Sequence, residues 1–115
     1  MKVTELIDKL NLSVRSAKGS LDHEVTGGYA SDLLSDVIAN SKEGNIWITL
    51  QIHQNIVGVA SLNDLAGIIL VNGREPDSET VAKADAENIP VMVSNMPTFE
   101  LVGALYNLGV TGTEK

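Results

Sequence analysis

The chain has 115 residues, a formal net charge of −7 from 15 acidic and 8 basic residues, and no cysteine. That length suits one domain with a single core, while the missing cysteines exclude a disulfide framework, a thiolate nucleophile and a cysteine metal site. The scattered basic residues argue against a surface that tracks nucleic-acid phosphates.

Hydrophobic residues make up 43% of the chain and aromatic ones only 3%, so the core must be built from Val, Ile, Leu and Ala, the residues of buried parallel strands and the helices that cover them. Thr4 can cap a first helix running to about Leu10, with Leu6, Ile7 and Leu10 on one face. No apolar leader with a small-residue cleavage site opens the chain, and no run reaches the length of a membrane span, which predicts a soluble cytoplasmic protein. Leu12–Ala17 alternates like a strand with one wet face, and Lys18-Gly19-Ser20 reads as a turn.

The stretch from Leu21 to Asn40 concentrates more hydrogen-bonding groups than any other. Gly27 and Gly28 read as a tight turn, able to take positive φ and to let another group approach the backbone closely. Ser31 or Asp32 then caps a helix to Asn40 whose apolar face is Leu33, Leu34, Val37 and Ile38. A glycine-rich turn before a helix can also bind an anion. Neither phosphate-binding fingerprint occurs, however, and Asp32 would repel the ligand.

Ser41–Asn45 is rich in turn formers. Ile46–Gln51 is predicted as a central strand with Trp47 in the core, and Asn55 as the cap of a short helix to about Asp64. Ala66–Val71 is a continuous apolar run, the mark of a strand covered on both faces. Asn72–Pro76 is a turn. A helix starting at Asp77 or Ser78 turns Val81, Ala84 and Ile89 inward, and Val91–Ser94 is a further strand. Pro97 opens the last helix, with Phe99, Val102, Leu105, Tyr106 and Leu108 as its buried stripe and Gly109 as its end. Residues 1–110 are thus expected to form a single domain, and 111–115 a flexible tail.

This alternation predicts a mostly parallel, four- to five-stranded sheet with helices on both faces, a three-layer α/β/α fold. Ligands of such sheets usually sit beyond the strand carboxyl ends, an edge expected to gather Thr26–Ser31, Gln51–Asn55, Asn72–Arg74 and Ser94–Met96.

Candidate chemistry is sparse. His53, beside Gln51 and Asn55, can shuttle a proton or bind a ligand, and a small hydrolase or transferase would pair it with Asp32 or Asp36. No Gly-x-Ser-x-Gly supports a hydrolytic triad. Glu24, Asp32 and Asp36 could cluster around magnesium but suit caps and dipole partners better, so neither metal nor cofactor is predicted. Asn72-Gly73-Arg74 can present amides and a guanidinium to a carboxylate or phosphate, although Asn-Gly is first of all a turn dipeptide.

Four blocks, Val25-Thr26-Gly27-Gly28-Tyr29, Ser31–Val37, Trp47–Gln51 and Ile69–Pro76, come in an order and spacing that resemble the DRTGG domain family over nearly the whole chain. The motif that names the family, Asp-Arg-Thr-Gly-Gly, reads Glu24-Val25-Thr26-Gly27-Gly28, so only its last three positions match and no role of its Asp-Arg pair carries over. The family is similar to the N-terminal domain of HPr kinase/phosphorylase, and occurs in phosphotransacetylases and beside CBS domains in regulatory pyrophosphatases. There it is an accessory module, and catalysis lies in another domain. Stand-alone copies belong to anaerobic bacteria and are associated with iron hydrogenase systems.

The resemblance implies a non-catalytic regulatory or assembly module that forms a homodimer and serves a partner enzyme. A small polar metabolite or nucleotide is the expected ligand, with Thr26, Gly27, Gly28, Tyr29, Ser31, Gln51, His53, Asn72, Gly73 and Arg74 as candidate contacts. The alternatives are a pure interaction module, using the Gly27-Gly28 turn and the Ser31–Asn40 helix as its dimer or partner surface, and the small His53 enzyme.

Overall fold

The computed structural model describes residues 1–113. Along them run α1 (Val3–Leu10), β1 (Ser13–Val14), β2 (Gly27–Ala30), α2 (Leu34–Asn40), β3 (Asn45–Thr49), α3 (Asn55–Leu62), β4 (Gly67–Leu70), α4 (Ser78–Ala86), β5 (Val91–Val93) and α5 (Thr98–Asn107). The strands form one sheet in the order β1-β5-β4-β3-β2. β2 to β5 are parallel, and β1 pairs antiparallel with β5 through Ser13–Val93 and Val14–Met92.

Burial follows from sequence in the central strands. β3 and β4 are buried at every position, as expected of strands covered on both faces. On one face Ile46, Ile48, Ile69 and Met92 pack under Val3 and Leu6 of α1 and Leu101 and Leu105 of α5. On the other, Trp47, Ile68, Leu70 and Val91 meet Val37 of α2, Ile56, Val57 and Ala60 of α3, and Ala84 of α4. The expected mostly parallel sheet between two helical layers is therefore the observed architecture.

Four local readings change. Gly27-Gly28 is a strand and not a turn: both residues pair with β3, opposite Asn45 and Ile46, and neither has positive φ. The missing side chain of Gly27 serves close approach, because a Cβ there would stand 2.6 Å from Thr113 Oγ1 and 2.8 Å from the Thr111 carbonyl. Residues 111–113 of the expected tail run beside β2, where Gly28 N donates to Thr111 O at 2.9 Å and Gly28 forms a parallel bridge with Gly112. Residues 114 and 115 lie outside the described residues.

The helix after β2 begins only at Leu34, without a side-chain cap. Ser31 Oγ accepts from Leu33 N at 3.2 Å, while the Asp32 carboxylate turns away to β3. Of its expected apolar face, Val37 is buried but Leu33 is 65% and Ile38 43% exposed. Finally, the buried stripe of α5 is Leu101 and Leu105; Phe99 is 86% and Tyr106 56% exposed.

Candidate functional site

The parallel register sets which loops meet. Ala30, Ile48 and Ile69 stand abreast in β2, β3 and β4, so the segments that follow them emerge along one rim, at the strand carboxyl ends. This rim holds Ser31, Asp32, Gln51, His53, Asn72, Gly73 and Arg74. Thr26 and Gly27 stand at the opposite, amino end of β2, and Gly28 and Tyr29 lie within the strand. The expected convergence of all the candidate residues on a single edge therefore holds for six of them, and the glycine pair with its neighbours Thr26 and Tyr29 stands apart.

On the rim, Asp32 is the organising group. Its Oδ1 accepts from Thr49 Oγ1 at 2.8 Å and from Leu50 N at 2.7 Å, tying the end of β2 to the end of β3. Gln51 Nε2 donates to the Asp32 carbonyl at 3.0 Å. Trp47 is buried, and its indole N–H donates to the Ser31 carbonyl at 2.8 Å, which supplies the partner that a buried indole requires.

His53 finds a different carboxylate from those expected. Its Nδ1 lies 2.6 Å from Asp77 Oδ2 at the start of α4, whereas Asp32 is bound to β3 and Asp36 accepts from Tyr29 Oη at 2.8 and 2.9 Å and from Asn40 Nδ2 at 2.9 Å. That hydrogen bond to Asp36, reinforced by desolvation and by the carboxylate's charge, holds the Tyr29 phenol above the ordinary tyrosine range, with Asn40 pulling weakly the other way. Both members of the His53–Asp77 pair are well exposed.

Asn72 and Gly73 both take left-handed φ, 57° and 66°, so the Asn-Gly turn is a genuine left-handed one. Their amides are spent on Met96 O and Ser94 O, at 2.9 and 2.8 Å, and the turn presents Arg74 outward. Next to it Glu75 holds Arg15 by two hydrogen bonds, 2.6 and 2.9 Å. The pairing keeps the Glu75 carboxyl below its usual range, through the hydrogen bond first and the guanidinium charge as well, against the upward pull of desolvation.

At the amino end the contacts are internal. Thr26 Oγ1 donates to Glu43 O at 2.7 Å and accepts from Asn45 Nδ2, which also donates to Thr113 Oγ1 at 2.8 Å. Gly44, at φ 80°, lies so close to Thr26 that a Cβ would meet its Cγ2 at 2.6 Å. Glu24 pairs with the terminal amine of Met1 ahead of the amino end of β2, whereas Asp32 and Asp36 follow its carboxyl end. The magnesium cluster considered from the sequence is thus dispersed, and among the described residues no group of three or more His, Cys, Asp or Glu side chains is arranged to hold a metal ion.

Two cavities are lined by residues other than the rim loops. One of about 710 Å³ opens at the amino end, among His23, Glu24, Thr26, Glu43, Asp64 and Glu87, and its four carboxylates suit no anion. The other, about 130 Å³ and apolar, lies between β2 and α5. Neither is legible in the sequence, since both need the neighbourhood of β2, a strand without a sequence signal. No helix among the described residues is long and apolar enough to cross a membrane.

Fold and rim together define a three-layer α/β domain with polar loops gathered along the carboxyl ends of its parallel strands. No protein-family model matches the chain, and no curated protein matches it. Among solved structures it is similar to the CBS and DRTGG domains of the regulatory region of Clostridium perfringens pyrophosphatase, complexed with its activator diadenosine tetraphosphate. The TM-score is 0.66 at 15% identity, covering 86% of this chain and 43% of that one. The chain thus spans less than half the length of that regulatory region, and a likeness at this identity shows the fold.

Proposed function

We propose that the protein is a DRTGG-family regulatory module without catalysis of its own, that it acts as a homodimer, and that it senses a small polar, anionic metabolite or nucleotide at the carboxyl rim. The observation that carries this reading is the placement of an imidazole and a guanidinium at matching positions of adjacent loops. His53 follows Thr49 by four residues, Arg74 follows Leu70 by four, and Thr49 and Leu70 are register partners. Ser31 and Gln51 flank them with hydroxyl and amide groups, and Asn72-Gly73 set the direction of Arg74. Thr26 and Gly27 serve architecture, holding β2 against β3 and residues 111–113. The activator bound by the similar regulatory region, a dinucleoside tetraphosphate, supports the class of ligand.

Calorimetry against nucleotides, acyl phosphates and small carboxylic acids tests the rim. Binding by the wild type that falls about tenfold or more in Arg74→Ala, the loss expected when a charge-assisted hydrogen bond is removed, supports it; a blank panel at millimolar ligand refutes the sensing role. A second reading, a pure interaction module, draws on the exposed Leu33 and Ile38 of the α2 segment. Substituting both by Ser would then abolish capture of the partner enzyme and leave the dimer intact.

A further inference from the structure

The outer face of α5 is an unusual surface for this chain. Phe99 is the only phenylalanine in the sequence, yet it is 86% exposed, and Tyr106 on the same helix is 56% exposed. With 100° between successive residues, Phe99, Val102, Gly103 and Tyr106 fall on one side of the helix, opposite Leu101 and Leu105. The α5 sequence contains one charged residue, Glu100, in a chain of net charge −7.

Beside this face lies the apolar cavity of about 130 Å³ between α5 and β2, lined by Val102, Leu105 and Tyr106 from the helix and by Ala30, Ile48 and Val110 below it. One helix therefore carries both a projecting aromatic ring and an apolar hollow. They are separated by part of the seven-residue span from Phe99 to Tyr106, about 10 Å along the axis. Gly103 lies near the middle of that span, and a Cβ there would meet nothing within 4 Å.

We infer that the occupant of this face is a second copy of the chain. Two α5 helices cross antiparallel on a two-fold axis at Gly103, and Phe99 of each copy enters the β2–α5 cavity of the other. The argument is symmetry together with charge. An isologous contact needs a patch that is complementary to itself, and knob and hollow on either side of a residue without a side chain meet that need. Two acidic chains approach with least repulsion where each offers a nearly uncharged face. This assignment rests on the dimeric part of the proposed function and gives it a location; the carboxyl rim is left free for ligand.

The test uses the absence of cysteine. Sedimentation equilibrium of the wild type is expected to give twice the monomer mass of 12.2 kDa, and Phe99→Asp to raise the dissociation constant on the order of 100-fold, as loss of a buried aromatic anchor from both sides of an interface does. Circular dichroism of Phe99→Asp should match the wild type, because the ring is almost wholly exposed within its own chain. The two urea unfolding curves should coincide once the wild type is diluted below its dissociation constant, since association adds stability only by mass action. Under mild oxidation Gly103→Cys should form a disulfide-linked dimer far faster than Ser61→Cys, an exposed position on α3. A wild type that stays monomeric at millimolar concentration overturns the dimer itself. A dimer that survives Phe99→Asp, or a cross-link in Gly103→Cys that forms no faster than in the Ser61→Cys control, overturns this surface alone. Rim binding is read separately, by calorimetry on the Phe99→Asp monomer.

Discussion

Gly27 and Gly28 are neighbours with the same side chain and, on this structure, opposite tolerance to change. Replacing Gly27 by Ala puts a Cβ 2.6 Å from Thr113 Oγ1 and 2.8 Å from the Thr111 carbonyl, where ordinary contact begins at 3.4 Å. The threonine side chain can rotate, but the carbonyl belongs to backbone and must move. Moving it breaks the bond from Gly28 N to Thr111 O and disturbs the one from Asn45 to Thr113. Two hydrogen bonds at about 1 kcal/mol each set a loss of about 2 kcal/mol, from which the reduced freedom of the unfolded chain returns about 0.5 kcal/mol.

The same substitution at Gly28 meets Val110 Cγ1 at 3.6 Å and Ile46 Cγ2 at 3.7 Å, ordinary packing distances. With φ outside the left-handed region, Gly28→Ala should be neutral or stabilising by up to about 0.5–1 kcal/mol. Urea unfolding followed by tryptophan fluorescence measures both, since Trp47 is the only tryptophan, with an expected difference of about 2 kcal/mol between the variants. Hydrogen exchange at residue 28 should accelerate in Gly27→Ala only. Equal destabilisation at both positions, the result a left-handed Gly-Gly turn would give, would refute the strand.

Asp32→Ala should cost about 1–3 kcal/mol in the same unfolding assay, because it removes the acceptor of the Leu50 amide and of the buried Thr49 hydroxyl together. Asp32→Asn, which keeps one oxygen, should recover part of it. Tyr29→Phe should cost about 1–2 kcal/mol through the lost bond to a charged acceptor. The raised Tyr29 pKa makes this contribution fully present below the unfolded value near 10 and lost as pH rises through the higher folded value. Ultraviolet absorbance in an alkaline titration should accordingly lose its latest tyrosinate step in Tyr29→Phe.

The parts legible in the sequence are those where one local signal decides the outcome. Gly67–Leu70 lies in an apolar run because both faces of β4 are covered, and no competing pattern fits. Asn72-Gly73 reads as a turn and is one, with both residues at positive φ. β2 has no such signal: Gly-Gly-Tyr-Ala offers two residues that strands disfavour, and its extended form comes from pairing with β3 and residues 111–113. α5 fails in the other direction. Phe99, Val102 and Tyr106 recur at helical spacing as well as Leu101, Leu105 and Leu108 do, so periodicity alone cannot choose which stripe faces inward.

The rim follows the same division. Its position beyond the strand ends is legible once helices and strands alternate, whereas its pairings join residues far apart in sequence, His53 with Asp77 and Asp32 with Thr49. Local chemistry can nominate His53 but cannot name its carboxylate. Of the three matching positions Thr26-Gly27-Gly28, the first two stand under a special constraint, the close approach of Gly44 to Thr26 and of residues 111–113 to Gly27.

Connectivity also explains why the apolar hollow lies where it does. β2, β3, β4 and β5 succeed one another in space in chain order, so the sheet has no reversal between parallel neighbours and no crevice of the switch-point kind. All three helices linking these strands, α2, α3 and α4, fall on one face. The opposite face is left to α1 and α5, the helices that come before and after this run. Two helices over five strands cover less than three do. The uncovered margin falls at β2, which residues 110–113 close only in part, and Tyr106 leans across the opening with its Oη 3.5 Å from Gly112 N. A chain of this topology therefore leaves an apolar hollow at the β2–α5 edge, and Phe99 on the same helix is exposed.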